Sequence, residues 1–193
     1  IKGVRFTLNK RKMIVIIEHK EDINSDFEGT IIDIETIGDF LNQYPDSRRY
    51  KDIRLVIFGF INRYALRILC AKGMEAIDEL RERTGKIIDS LKRPFYAFNN
   101  NFERGVLFYE LDKKIDFEGE LQETHESKAK AVGDLCIPNY DDPFYSKGLW
   151  CMNAWLNGEF NEAIAHNRAC LLKERDILLK RGFRAPDELK FVK

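Results

Sequence analysis

Asp33 and Glu35 stand either side of Ile34 at the end of an apolar run, Thr30-Ile31-Ile32, that Gly29 precedes. Alternation along a strand puts residues i and i+2 on one face, so the two carboxylates project side by side. Anions that close repel each other unless a cation lies between them, and a divalent ion such as Mg²⁺ takes carboxylate oxygens readily. The plainer account of an isolated Asp-x-Glu is a solvated strand end. Two later segments carry groups of the same chemical kind. Asn99-Asn100-Asn101-Phe102-Glu103 follows a short apolar run and opens a helix, where the helix dipole favours an acid in the first turn. His166-Asn167-Arg168-Ala169-Cys170 lies on the longest helical stretch. Their plainer accounts are a capping turn for Asn99 to Asn101, a partly buried structural histidine, and a small core thiol at Cys170.

The elements that must position these groups follow from the hydrophobic periodicity. Residues 13–18 are rich in β-branched types and read as a strand at a sheet edge; residues 29–35 read as the first core strand. Residues 38–52 contain Pro45 and many polar side chains, as a loop or short helix would. Residues 54–62 and 65–71 form a hairpin across Arg63-Tyr64. A helix over 74–84, resuming over 86–91, stops at Pro94. A short buried strand at 95–98, a helix at 103–111, an edge strand at 115–121 and a modest helix at 126–136 come next. A Pro-bearing loop at 137–145 leads to closing helices at 148–156 and 160–181. This order predicts an α/β fold with a mixed sheet, a three-strand meander followed by alternating helices and strands, and helices on both faces.

The chain's 193 residues suit one domain over 1–193, with no linker or internal repeat to divide it. With 32 basic and 32 acidic residues the net charge is zero, which argues against coating nucleic acid by bulk electrostatics. Lys10-Arg11-Lys12, Arg48-Arg49 with Lys51, and Lys92-Arg93 are local basic groups that read as solvated surface. No apolar stretch approaches the roughly 20 residues of a membrane helix, and no secretory pattern opens the sequence. Cys70, Cys136, Cys151 and Cys170 show no C-x-x-C pairing, so reduced thiols in a cytoplasmic protein are the expectation.

Asp-Ile-Glu-Thr after Thr-Ile-Ile, and then Phe-Asn-x-x-Phe-Glu, resemble the first and second motifs of the DEDD 3′–5′ exonuclease superfamily, which has a ribonuclease H-like fold. The resemblance spans about residues 29–181. Glu103 stands where that family carries Asp. The resemblance implies a phosphodiesterase using two Mg²⁺ or Mn²⁺ ions, with Asp33 bridging them and Glu35 and Glu103 completing their shells. One ion would lower the pKa of an attacking water while the other would stabilise the leaving 3′-oxygen, the pair lying about 3.5–4 Å apart. It further implies a single-stranded 3′ end of DNA or RNA as substrate, met by Thr36, Asn99 and Phe102, and no membrane partner.

In the family's third motif an aromatic or imidazole acts on the water and an Asp holds metal. His166 takes the first place here and Cys170 the second. A thiolate is a poor ligand for Mg²⁺. Three outcomes follow: another acid, Asp141, Asp142 or Glu174, supplies the missing oxygen; the site holds one ion, or a softer one such as Mn²⁺ or Zn²⁺; or catalysis is lost while the fold and a nucleic-acid groove survive. Glu174 lies two turns beyond His166 on the same helix face. The functional alternatives are therefore a nuclease, a catalytically impaired module that binds nucleic acid or a partner, and a scaffold whose acidic pair is incidental. Trp150, Trp155 and Phe160 are expected to pack the last two helices.

Overall fold

The computed structural model describes residues 15–193. Its elements run β1 (Ile16–Asp22), β2 (Thr30–Ile37), β3 (Arg54–Asn62), β4 (Ala65–Ala71), α1 (Ile77–Ser90), β5 (Phe95–Ala97), α2 (Asn100–Leu111), β6 (Gly119–Glu120), α3 (Lys128–Asp134), α4 (Gly148–Leu156) and α5 (Phe160–Arg181). Lys10-Arg11-Lys12 and the predicted strand start at Met13 lie outside the described residues.

The six strands form one mixed sheet in the order β1-β4-β3-β2-β5-β6. β2, β3 and β4 make the antiparallel meander that the apolar runs foretell, joined at Arg63-Tyr64 where the Asn62 side chain accepts the amide hydrogens of Tyr64 and Ala65. β1 adds antiparallel to the outer side of β4, and β5 and β6 continue parallel on the other side of β2. α1 and α2 pack together on β3, while α4 and α5 pack together on β2, with α5 also covering β3 and β4. The expected α/β mixed sheet is thus observed.

Several elements depart from expectation: β1 is Ile16–Asp22, shifted from 13–18, and α2 starts at Asn100, three residues before Glu103. α1 runs unbroken through Gly85, whose open side faces only the tip of Leu111. β6 has two residues instead of seven because β5 offers only three positions to pair with; Ile115 and Phe117 instead turn into the core. α3 starts only at Lys128 because Ser127 caps it, its hydroxyl oxygen accepting from the Lys130 amide at 3.2 Å.

Glycine is required where the sheet approaches its neighbours. Gly29 has φ +93°, and a Cβ there would lie 2.2 Å from the Pro94 carbonyl oxygen, the group that receives the Thr30 amide hydrogen and starts the β2–β5 pairing. Gly59 faces Asp33 across the β2–β3 ladder, and its missing side chain leaves room for the Asn167 side chain of α5. Trp155 packs as expected and donates its indole hydrogen to the Ala71 carbonyl at 2.8 Å, with Phe160 edge-on against it. Trp150 departs from expectation. It is 48% exposed, with the Lys147 ammonium 4.3 Å from its ring centre.

Candidate functional site

Asp33 and Glu35 share one face of β2, and both are buried beneath α5. Asn167 holds them from above: its Nδ2 donates to Asp33 Oδ2 at 2.7 Å and reaches Glu35 Oε1 at 3.4 Å. Between Glu35 and Thr36 the β2–β3 register shifts, and such a bulge re-aims the side chains that follow. Thr36 is accordingly half-buried and does not line the pocket, contrary to its expected place at the substrate.

The parallel strand β5 ends at Ala97, and the chain turns there into α2, bringing Asn99, Phe102 and Glu103 to the same pocket as Asp33 and Glu35. Asn99 accepts the Phe102 amide hydrogen through its carbonyl, and Asn100 anchors the turn by donating to the Gly119 carbonyl at 3.0 Å. Glu103 is buried in the first turn of α2, and its Oε2 has no hydrogen-bond partner.

α5 supplies the third wall. His166, Cys170 and Glu174 recur every four residues and form one ridge of the helix, all three buried. The pocket these segments enclose measures about 190 Å³ and opens past Ser146 and Gly148. A larger hollow of about 670 Å³ between α1 and α2 is lined mainly by Glu, Asp, Arg and Lys and contains neither histidine nor cysteine.

The strongest feature of the pocket has no signature in the residue pattern. Lys128, the first residue of α3, extends its ammonium to Asp33 Oδ1 at 2.9 Å and Glu174 Oε1 at 2.6 Å. The cation called for by crowded carboxylates is therefore, on this side, part of the chain. Burial opposes that ammonium's charge, but Asp33, Cys170 and Glu174 outweigh it and hold its pKa well above the ordinary lysine value. The carboxylates show the opposite strain. Burial, reinforced by Asp33, raises Glu103 and Glu174 well above the usual carboxylate range and brings Glu35 to about 7. Lys128 and His166 are thus set against four acids; Glu103 Oε2 and both Glu174 oxygens are buried without a hydrogen bond, Glu174 Oε1 meeting Lys128 as an ion pair.

His166 is fixed from behind. Its Nδ1 lies 2.7 Å from Asp142 Oδ1, and Asp142 in turn accepts from Lys173 Nζ at 2.5 Å and from the amides of Phe144 and Ser146. Despite burial, these bonds hold the Asp142 carboxyl far below its ordinary range. The imidazole is likewise held up at about 11: burial opposes its charge, but Cys170, Glu35 and Asp142 outweigh that effect. The Nε2 edge faces Glu35 Oε1 at 3.8 Å and Cys170 Sγ at 3.7 Å.

Of the three acids considered as substitutes at the third motif, only Glu174 joins the carboxylate cluster. Asp142 is a partner of His166, because its loop folds the amides of Phe144 and Ser146 onto its carboxylate. Asp141 is exposed beside Arg168. Sequence reasoning also missed Asn167 and Lys173; helical spacing from Cys170 and His166 was the only available signal for them. The basic groups at Arg48 and Lys92-Arg93 are tied to Asp46, Glu28 and Glu118 at the surface. All four cysteines are free, with Cys136 the exposed one. No described helix is long and apolar enough to cross a membrane.

No protein-family model matches the chain, and no curated protein or solved structure matches it.

Proposed function

We propose that this chain is a metal-dependent 3′–5′ exonuclease of the DEDD kind, with a ribonuclease H-like fold, that hydrolyses phosphodiester bonds at single-stranded DNA or RNA ends in the cytoplasm. One observation carries the reading. Asp33, Glu35, Glu103 and His166, from three segments far apart in sequence, line a single small pocket at the end of the sheet where β5 gives way to α2. The antiparallel meander with parallel strands beyond it supports the fold half of the proposal.

The donor set fits a divalent cation. Glu103 Oε2 is buried without a partner, and burial, then the charges of Asp33 and Glu174, push the Glu103 carboxyl toward protonation, which is the strain a bound cation relieves. The resemblance points to Asp33, Glu35 and Glu103 as its holders, but both Asp33 oxygens are taken, by Lys128 and Asn167. Among the described residues, the ligand atoms that come within 4.8 Å of one another are those of Glu35, His166 and Cys170. The Asp33–Glu174 side is already taken by Lys128, so the arrangement suits one ion with an ammonium beside it. Such an ion, when bound, would stabilise charge on the phosphoryl and leaving oxygens.

The chain's own groups do the rest. Asn167 keeps both β2 carboxylates in one orientation. His166, locked by Asp142, presents a fixed ring nitrogen to the same space. At the mouth, Phe102 stands in an aromatic group with Phe40 and Tyr50, centroids 6.0–6.2 Å apart. Trp150, two residues beyond the pocket-lining Gly148, is exposed and offers a ring face on which a base can stack.

A second reading has an observation of its own. The ion pair of Lys128 with Asp33 suits a catalytically impaired module that binds single strands without cutting them. Incubating 5′-labelled single-stranded DNA and RNA with the protein and Mg²⁺, Mn²⁺ or Zn²⁺ separates the two. Stepwise shortening from the 3′ end, abolished by Asp33→Asn, is expected. Salt-dependent binding with no shortening under any ion supports the module instead.

A further inference from the structure

We infer that Glu35, His166 and Cys170 form a site for one borderline transition ion, Zn²⁺ by preference, and that Cys170 is a ligand in it. The three side chains are buried, and one ligand atom from each lies within 4.8 Å of the others. Their spacing is the argument. His166 Nε2 is 3.8 Å from Glu35 Oε1, too far for a hydrogen bond between them, and 3.7 Å from Cys170 Sγ. A tetrahedral ion, bound at about 2.3 Å to sulfur and about 2.0–2.1 Å to nitrogen and oxygen, separates its ligand atoms by roughly 3.4–3.6 Å. An octahedral Mg²⁺ with bonds of about 2.0–2.1 Å places adjacent donors only about 2.9 Å apart. The two separations from His166 lie within a few tenths of an ångström of the first geometry and well outside the second, and the Glu35–Cys170 pair lies within 4.8 Å.

Two independent features point the same way. The ligand nitrogen is backed by a carboxylate: Asp142 holds Nδ1 at 2.7 Å and is itself fixed by Lys173 and two amides. That is how metal-bound imidazoles are oriented. Glu103, whose buried Oε2 has no hydrogen-bond partner, lines the same pocket. The donor set of one nitrogen, one sulfur and one oxygen selects Zn²⁺ or Co²⁺ over Mg²⁺. The assignment gives His166 a ligand's part in place of the action on water that the resemblance implies. It rests on the phosphodiesterase reading for the ion's use, not for its binding.

The test is direct metal binding to the full chain, stripped with chelator and titrated with Co²⁺. The expected result is one equivalent bound, tetrahedral visible bands, and a near-ultraviolet thiolate-to-cobalt band. Zn²⁺ should displace the Co²⁺ and millimolar Mg²⁺ should not. Cys170→Ser should lose the thiolate band, while Cys136→Ser, at the exposed thiol, keeps it. Asp142→Asn should weaken Zn²⁺ binding by about 10–100-fold at unchanged stoichiometry, with circular dichroism confirming that each variant is folded. Absence of bound Co²⁺, identical spectra for the natural chain and Cys170→Ser, or displacement by Mg²⁺ would overturn the assignment. Mg²⁺-supported cleavage that survives Cys170→Ser would sink this site and leave the nuclease reading standing. A thiolate-bound ion in a protein that cuts nothing would do the reverse.

Discussion

Replacing Lys128 by methionine removes the ammonium from between Asp33 and Glu174 and keeps a straight apolar stem. The lysine side chain is 16% exposed, and those of its partners Asp33 and Glu174 are 7% and 0% exposed, so water can replace little of what is lost. Removing one member of a buried ion pair costs about 3–5 kcal/mol, and both contacts here are short. A loss of about 4 kcal/mol corresponds to a fall in Tm of roughly 12 °C for a chain of this size. Domains carry about 5–15 kcal/mol, so the variant folds, with little to spare. The sign of the pH dependence follows. Burial already makes Glu174 bind its proton more tightly in the folded than in the unfolded state, and loss of the ammonium, which opposes this, makes it bind more tightly still. The variant therefore recovers stability as the pH falls, and its gap from the natural chain narrows between pH 8 and pH 5. Urea denaturation followed by circular dichroism at both pH values measures this. A divalent ion at 100 times its Kd for the variant should restore about 2.7 kcal/mol. A loss below about 1 kcal/mol, or a gap that widens in acid, refutes the account of Lys128 as the resident cation.

Glu35 has a folded pKa of about 7 against an ordinary value of 4.5, raised by burial and by Asp33. Its ionisation therefore costs stability as pH climbs through that window, on the order of 3 kcal/mol. Glu35→Gln should be the more stable protein at pH 8 and lose that advantage by pH 5, as thermal melts at the two pH values can show. Gly59→Ala would place a Cβ 2.0 Å from Asn167 Oδ1, so a destabilisation of about 1–3 kcal/mol is expected in denaturant titrations, together with a weaker grip on Asp33. Trp150→Ala should weaken binding of single-stranded oligonucleotides by about 1–3 kcal/mol in fluorescence anisotropy and leave the melting temperature unchanged.

The periodicity of the apolar residues was a good guide wherever an element is long and regular. β3, β4, α4 and α5 occupy the spans that their side-chain patterns indicate. It misled at 115–121, where buried residues belong to an extended segment that finds only a two-residue partner. In the pocket, Asp33, Glu35, Glu103 and His166 could be named because their spacing within strand or helix is local information, and Glu174 because it follows His166 on one helix face. Lys128 could not. A lysine at the start of a short polar helix has the pattern of a solvated residue, and only the packing of α3 against α5 turns it inward. Asp142 was legible as an acid but not as the partner of His166, since that role depends on how a Pro-bearing loop closes on its own amides. Cys170 is the small buried side chain that its apolar neighbours indicate.

The pocket is also spread widely along the chain, and synthesis runs in one direction. Asp33 precedes Lys128 by 95 residues and Asn167 by 134. At about 5–20 residues per second, roughly 7–27 seconds separate the emergence of the β2 carboxylates from that of the amide that clasps them. During that interval the meander can form, but its α5 face stays bare and acidic. Carboxylates that resist burial without Lys128 and Asn167 keep that face wet and disfavour premature collapse against the wrong helix. A nascent chain that stops before α5 is then recognisably unfinished. The residues proposed to act on a substrate thus also serve as a checkpoint on the order in which the protein closes.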